Sequence, residues 1–327
     1  ERPSHIIWPA LHKTREQVSE LFKAVHGEPH RTEEVEAMVE SARRELRRHF
    51  LNAEVGISGA NFLVADSGAV CTVTNEGNAE LTTTPPRVHV VTAGIEKLVP
   101  SLPHAMMLLR LLVRSATGAD LTQYTTFHTG PKRPGDRDGP EEFHIVLVDN
   151  GRSRMLREGL RDMLRCIRCG ACMNHCPVYH AVGGHAYGWV YPGPMGAVLT
   201  PSLIGVDQAG HLPNASTFCG RCESVCPVRI PLPKLMRHWR EREFERHLTP
   251  ATVRSGLKFW GFFAKRPALY RVATRVAMGA LALAGGRRGR FTWLPMSKGW
   301  TKYRDFPAPQ GETFQQRWKR ERRGASA

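Results

Sequence analysis

The spacing of apolar and polar residues predicts a mixture of helices and short strands in the first part of the chain. Two stretches place apolar residues at helical intervals, and four short runs are rich in β-branched residues. Ser67-Gly68, between the first two of these runs, predicts a hairpin turn. Strands mixed with helices predict an α/β N-terminal domain over residues 1–149, with a surface loop at 129–142. The predicted elements are helices over residues 33–50 and 103–115, a hairpin over 61–66 and 69–74, and buried strands over 87–92 and 143–148.

The pattern changes in the second segment, residues 151–249. Helices are predicted over residues 152–164 and 231–247. Seven of the eight cysteines lie between these two helices. Residues 183–213 contain seven Gly and four Pro, which favours an irregular loop over regular structure.

The third segment, residues 250–327, is a basic C-terminal domain or tail. From residue 251 onward it has 17 Lys and Arg against 3 Asp and Glu, a net charge of +14 out of +16 for the whole chain. Such a segment could bind nucleic acid, an anionic membrane surface or an acidic protein partner. It could equally be a solvated basic face that aids solubility. Its apolar run, Val276 to Ala284, is too short to span a bilayer. Residues 291–318 show little periodicity and predict no independent fold.

The first cysteine run has the spacing C-x₂-C-x₂-C-x₃-C-P, which is the bacterial ferredoxin pattern. Three thiolates on a tight turn can bind three irons of one cubane cluster, and Gly170 lets the backbone curl close to it. In this pattern the fourth cysteine reaches a second cluster. The residues of this run are Cys166, Cys169, Cys172, Cys176 and Pro177.

The second run, Cys219, Cys222 and Cys226 followed by Pro227, repeats the pattern with Ser216 in place of its first cysteine. If the fourth cysteines are exchanged, cluster 1 is held by Cys166, Cys169, Cys172 and Cys226. Cluster 2 is then held by Cys176, Cys219 and Cys222. With three thiolates, cluster 2 is either a [3Fe-4S] cluster or a [4Fe-4S] cluster with a serine, water, partner or histidine ligand, His175 and His180 being nearby.

Structural zinc is the alternative, but zinc sites usually take four ligands in two pairs, which this spacing fits poorly. Cys71 lies in a predicted strand and is interpreted as an unreactive residue of the core. Four arginines flank the cysteines. Their positive charge either raises the reduction potential of a nearby cluster or serves only to solvate the protein surface. These arginines are Arg165, Arg168, Arg221 and Arg229.

Other catalytic signatures are missing from the sequence. It has no P-loop, no Gly-x-Gly-x-x-Gly fingerprint and no recognisable set of catalytic side chains. The start of the chain shows no export signal, so the cysteines are expected to be metal ligands in a reducing cytoplasm rather than disulfides.

Several stretches along nearly the whole chain resemble the lactate-utilisation iron–sulfur protein B family (LutB/LldF type). They include both cysteine runs, the stretch from Pro3 to Lys13, Gly56 to Asn61, and Asn75 to Asn78. The end of the chain, Trp300 to Pro307, also resembles that family's C-terminal domain.

This resemblance implies a lactate-utilisation domain related to the CoA-transferase-like α/β sheet, with the first part of that domain absent. An α-helical ferredoxin-like domain with two [4Fe-4S] clusters and the basic tail would follow. It implies a non-catalytic electron-transfer component of an L-lactate dehydrogenase complex, which oxidises lactate to pyruvate. The implied partners are a cysteine-rich subunit and a second lactate-utilisation-domain protein. The expected location is the cytoplasm, with peripheral membrane contact left open.

Two alternatives differ in class. In the first, the chain is itself the catalytic oxidoreductase and the three-cysteine cluster is its site. In the second, motivated by the basic tail, the chain is a nucleic-acid-binding iron–sulfur protein, although the tail has no recognisable nucleic-acid motif.

Overall fold

The computed structural model describes residues 2–27, 34–295 and 297–324. Its internal contacts divide the chain into two compact units, with the boundary between Arg246 and His247. The first unit contains an α/β region and the cysteine region, and the second contains the basic segment.

The described residues of the α/β region form four α-helices and seven strands. Thr14 caps the first helix, where it accepts a hydrogen bond from the backbone N–H of Gln17, and Gly118 ends the last one in a left-handed conformation. The elements are α1 (Arg15–His26), α2 (Val35–Leu51), β1 (Val55–Ser58), β2 (Phe62–Val64), β3 (Ala69–Thr74), α3 (Asn78–Thr83), β4 (Val88–Gly94), β5 (Leu98–Val99), α4 (Leu102–Thr117), β6 (Tyr124–His128) and β7 (Glu142–Val148).

The strands form two sheets. One is parallel with the order β1-β4-β7, and the other is mixed with the order β5-β2-β3-β6. The predicted hairpin is confirmed, since β2 pairs antiparallel with β3 and Leu63 lies opposite Val70. Gly68 takes a positive φ of 68° in the turn. The two predicted helices are confirmed as α2 and α4, although Glu33, the predicted start of the first, lies outside the described residues.

One expectation for this region is wrong. The run 143–148 forms the predicted strand, but it is not buried, because six of the seven residues of β7 are exposed. Residues Ile145 to Val148 are apolar on both faces of the strand. β-branched residues specify an extended backbone, whereas the cover over a strand is supplied by other elements.

The cysteine region is helical and corrects two further expectations. The stretch 183–213 is not an irregular loop, because most of its second half is helical, and the predicted helix 152–164 is interrupted, with Gly159 at a positive φ of 73°. The helices are α5 (Arg152–Met155), α6 (Ala171–Asn174), α7 (Pro177–Val182), α8 (Gly193–Ile204), α9 (Val206–Ala209), α10 (His211–Asn214), α11 (Arg221–Ser224) and α12 (Leu232–Glu245), with a 3₁₀ turn at Arg161–Arg165.

Helix α8 is the centre of this region, and ten of its twelve residues are buried. Its glycines allow close approach: a Cβ at Gly196 would lie 1.6 Å from the carbonyl oxygen of Tyr191. Trp239 of α12 donates its indole N–H to the carbonyl of Val198, at 3.0 Å. Glycine and proline therefore permit tight packing here, although the same residues favour loops in an exposed segment.

The second unit begins with two long helices, and short elements follow in the stretch for which no fold was predicted. The elements are α13 (Ala251–Ala264), α14 (Pro267–Gly285), β8 (Arg290–Phe291), α15 (Lys298–Thr301), β9 (Phe306–Pro307) and α16 (Phe314–Gly324), with β8 antiparallel to β9. None of the helices in the described part of the chain is long and apolar enough to cross a membrane.

Candidate metal centre

The two cysteine runs adopt the same local backbone. Gly170 and Gly220 both have a left-handed conformation, with φ of 75° and 79°, and each precedes a one-turn helix. Arg168 and Phe218, two residues before these glycines, also have positive φ. This backbone conformation costs energy for any residue other than glycine. Each turn closes with the same hydrogen bond, from the N–H of Cys176 to Met173 and from the N–H of Cys226 to Glu223, both at 3.1 Å.

One cavity is lined by four cysteines from both runs. Three come from the first run, and the fourth, Cys226, comes from the end of the second. The backbone N–H of Ile230 donates to Cys226 Sγ at 3.4 Å. The remaining walls are mainly apolar. The lining includes Cys166, Cys169, Cys172, Cys226, Ile6, Met195, Ile230 and Leu232.

A second cavity is lined by the other three cysteines, Cys176, Cys219 and Cys222. Ser216 also lines it, and its hydroxyl accepts a hydrogen bond from the N–H of Phe218 at 3.2 Å. The described residues that line this cavity do not include His175 or His180. Their rings instead donate to the carbonyls of Ala171 and Asn174, at 3.0 and 2.8 Å.

The two cavities are neighbours on either side of the start of α8. Pro194 lines the second cavity and the next residue, Met195, lines the first. The thiol of Cys172 is also close enough to that of Cys222 for the two to interact electrostatically. Seven cysteines from two separate runs thus line two adjacent cavities, whereas Cys71 is fully buried in the α/β region.

Burial controls the acidity of these thiols. It raises the pKa of Cys169 and of Cys222 to about 11, and the pKa of the fully enclosed Cys172 well above its usual value. Cys219 is the exposed member, and hydrogen bonds from the Arg221 backbone and the Thr217 side chain lower its pKa. The thiols of Cys169, Cys172 and Cys222 are therefore protonated at neutral pH until a metal displaces the protons.

The donor sets suit an iron–sulfur cluster better than a single ion. Each cavity offers sulfur ligands, which such clusters require, within a largely apolar wall. In the described residues, no three His, Cys, Asp or Glu side chains converge closely enough to share one metal ion. A cubane binds its ligands at separate iron corners, so its thiolates stand farther apart than those around a single zinc.

Arg168, which lies between the first two cysteines of the run, is held by a buried ion-pair group. Its guanidinium donates to Glu96 at 2.9 Å, and Arg152 contacts the other oxygen of Glu96 at 2.6 Å. Arg168 also stacks on the ring of Tyr191, 4.7 Å from its centroid. Glu96 thereby ties the α/β region to the cysteine turn. Sequence reasoning missed it, since nothing in the sequence pairs a carboxylate 72 residues away with Arg168.

The N-terminal stretch also packs on the cysteine region. The carbonyl of Ser4 accepts a hydrogen bond from the Tyr179 hydroxyl at 2.7 Å, and His5 contacts Asn174 at 3.1 Å. A Cβ on Gly170 would lie 3.1 Å from His5. The stretch from Pro3 to Lys13 carries part of the family resemblance, but nothing in the sequence predicts its contact with the cysteine turn.

Comparison with known protein families assigns each part of the chain. The LUD domain matches residues 3–148, the 4Fe-4S dicluster domain matches 162–230, and the C-terminal domain of lactate utilisation protein B matches 221–323. The dicluster match indicates that the chain binds iron–sulfur clusters. No solved structure matches significantly.

Curated relatives align over nearly the whole chain. Lactate utilization protein B of Bacillus licheniformis is 46% identical over 98% of this chain and 67% of its own length. The protein of that name from Lysinibacillus sphaericus is 45% identical over 99% of the chain and 68% of its own length. A protein of Escherichia coli called uncharacterized electron transport protein YkgF is 44% identical over 97% and 67%. With this identity over its whole span, and with the cysteine turns described above, the chain belongs to the lactate utilization protein B family of iron–sulfur proteins.

Proposed function

We propose that the chain holds two [4Fe-4S] clusters and is the electron-transfer component of a system that oxidises L-lactate to pyruvate. The observation that carries this proposal is the collection of seven thiols into two adjacent cavities. When bound, clusters of this kind accept and donate single electrons, and the protein sets their potential through charge, hydrogen bonds and burial. No residue of the chain is assigned a catalytic role.

The proposed ligands follow the cavities. Cys166, Cys169, Cys172 and Cys226 would hold cluster 1, with the Ile230 N–H donating to one sulfur. Cys176, Cys219 and Cys222 would hold cluster 2, and Ser216 is the proposed fourth ligand because it lines the same cavity. Arg168, close to cluster 1, adds positive charge that favours the reduced state.

The iron content of the chain tests the ligand sets. The anaerobically reconstituted protein should bind about eight irons and absorb broadly near ~400 nm. Cys226→Ser should lose the iron of cluster 1 and Cys219→Ser that of cluster 2, each keeping about half. Cys71→Ala, a buried cysteine outside both cavities, is the matched control and should keep all eight. Stoichiometric zinc, or loss of all iron from Cys71→Ala, would contradict the ligand assignment.

A separate variant tests the fourth ligand of cluster 2. Ser216→Cys supplies the thiolate that the pattern lacks, so its cluster should lose iron more slowly in air than the wild type. Ser216→Ala should lose it faster. Equal rates for all three proteins would exclude Ser216 as a ligand.

The lactate assignment comes from the family and needs its own test. The proposed partners are a cysteine-rich subunit and a second lactate-utilisation-domain protein. Lactate-dependent dye reduction should require all three proteins together and should fall in the cysteine variants. If the isolated chain reduced the dye with lactate, the chain would itself be the catalytic oxidoreductase, with the three-cysteine cluster as its site. The electron-transfer hypothesis would then be wrong.

A further inference from the structure

We propose that α13 and α14, the first two helices of the second unit, bind an anionic lipid surface as an interfacial helix pair. The proposal concerns a different part of the chain from the cysteine cavities and does not depend on the proposed function.

Helix α13 carries an exposed apolar stripe. Val253, Leu257 and Trp260 recur at intervals of four and three residues, which places them on one face of the helix. All three are exposed, Trp260 by 61% of its surface, and no residue of α13 is buried. Phe259 and Phe262, which lie on other faces of the helix, are exposed as well.

Helix α14 repeats the arrangement. Val272, Val276 and Leu283 stand at positions i, i+4 and i+11, which again share a face, and Leu283 is 86% exposed. Large apolar side chains exposed in a row along one face of a helix are typical of an interaction site.

The charge of the helix pair selects the partner. Residues 251–289 contain eight Lys and Arg and not one Asp or Glu. On α13, Arg254, Lys258 and Lys265 lie about a third of a turn around the helix from the stripe. Helices with basic residues on one side and Trp, Phe and Leu on the other lie flat in the headgroup layer of a bilayer.

Two other occupants fit less well. Nucleic acid would use the positive charge but leaves Val, Leu and Trp without a role, because its binding is dominated by phosphates. A spanning helix is excluded for the described residues by their length and polarity. An anionic lipid surface uses both features, since its negative potential attracts the basic residues and apolar side chains enter the interface.

Sedimentation of the full chain with vesicles tests this directly. We expect binding to vesicles of phosphatidylglycerol and phosphatidylcholine, and at least about tenfold weaker binding to phosphatidylcholine alone or in 0.5 M salt. The double variant Leu257→Ser with Trp260→Ser should lose at least about tenfold in affinity for the anionic vesicles. Trp189→Ser, which changes an exposed Trp in the first unit, is the matched control and should bind as the wild type does.

A charge variant separates electrostatic from apolar binding. Lys258→Glu with Lys265→Glu should bind anionic vesicles at least about tenfold less tightly while its helix content, measured by circular dichroism, is unchanged. Each protein's iron content is measured alongside, so failure to bind lipid is distinguishable from failure to bind clusters. Equal binding to both vesicle types, no binding to either, unchanged binding by the variants, or tight binding to duplex DNA alone would overturn the proposal.

Discussion

The buried carboxylate of Glu96 provides the sharpest test of how the cysteine turn is held. Its side chain is only 4% exposed and contacts two arginine guanidinium groups, those of Arg152 and Arg168. The change Glu96→Gln keeps the size of the side chain but removes its charge. The guanidinium groups of Arg152 and Arg168, which are only 8% and 16% exposed, then lose the charge of this carboxylate.

The expected cost follows from this burial. Removing one partner of a buried ion pair typically destabilises a protein by about 3–5 kcal/mol, because the remaining charge is no longer compensated. Most of that cost should appear in the first unit, whose α/β and cysteine regions Glu96 connects. Since Arg168 holds the backbone between Cys166 and Cys169, iron should also dissociate faster from the variant.

Urea unfolding of the iron-free protein, followed by circular dichroism, measures the first effect, and iron release to a chelator measures the second. Glu142→Gln is the control, since Glu142 pairs with Arg87 on the surface and water solvates both groups. That variant should unfold at the wild-type urea concentration. A Glu96→Gln variant within about 1 kcal/mol of the wild type would refute the assigned role of the ion pair.

Three further predictions concern packing and pH. Gly196→Ala should destabilise the first unit by about 3 kcal/mol or more, because its new Cβ would overlap the Tyr191 carbonyl; thermal unfolding measures this. Gly256→Ala, on exposed α13 where a Cβ meets nothing within 4 Å, should instead stabilise the second unit by about 1 kcal/mol, and a shift of the opposite sign would contradict the helix assignment. Burial lowers the pKa of His89 from 6.5 to about 4, so the unfolded chain binds the extra proton first and stability should fall as pH drops from 6.5 to 4. His89→Gln should flatten that part of the pH profile of the urea midpoint, and an unchanged slope would show that His89 is not its source.

Much of the local structure could be predicted from the sequence. Ser67-Gly68 predicted the hairpin because a glycine at positive φ suits a tight turn, and the apolar spacing of 103–115 predicted α4. Helix α8 was missed because Gly and Pro signal loops when exposed, whereas here they allow close packing in the core. The exposure of β7 was missed because residue type specifies an extended backbone and not what covers it.

The sequence by itself determined the chemistry of the candidate centre, since a turn of three closely spaced thiols is defined within a dozen residues. The ferredoxin spacing also predicted that Cys226 joins the first run and Cys176 the second. The tertiary structure places each of them in that cavity, with Pro194 and Met195 of the buried helix α8 lining the two cavities. It also decided that Glu96 and Ile6, remote in sequence, lie at the first cysteine turn. Local spacing encodes a turn, but contacts between distant segments depend on how the whole core packs.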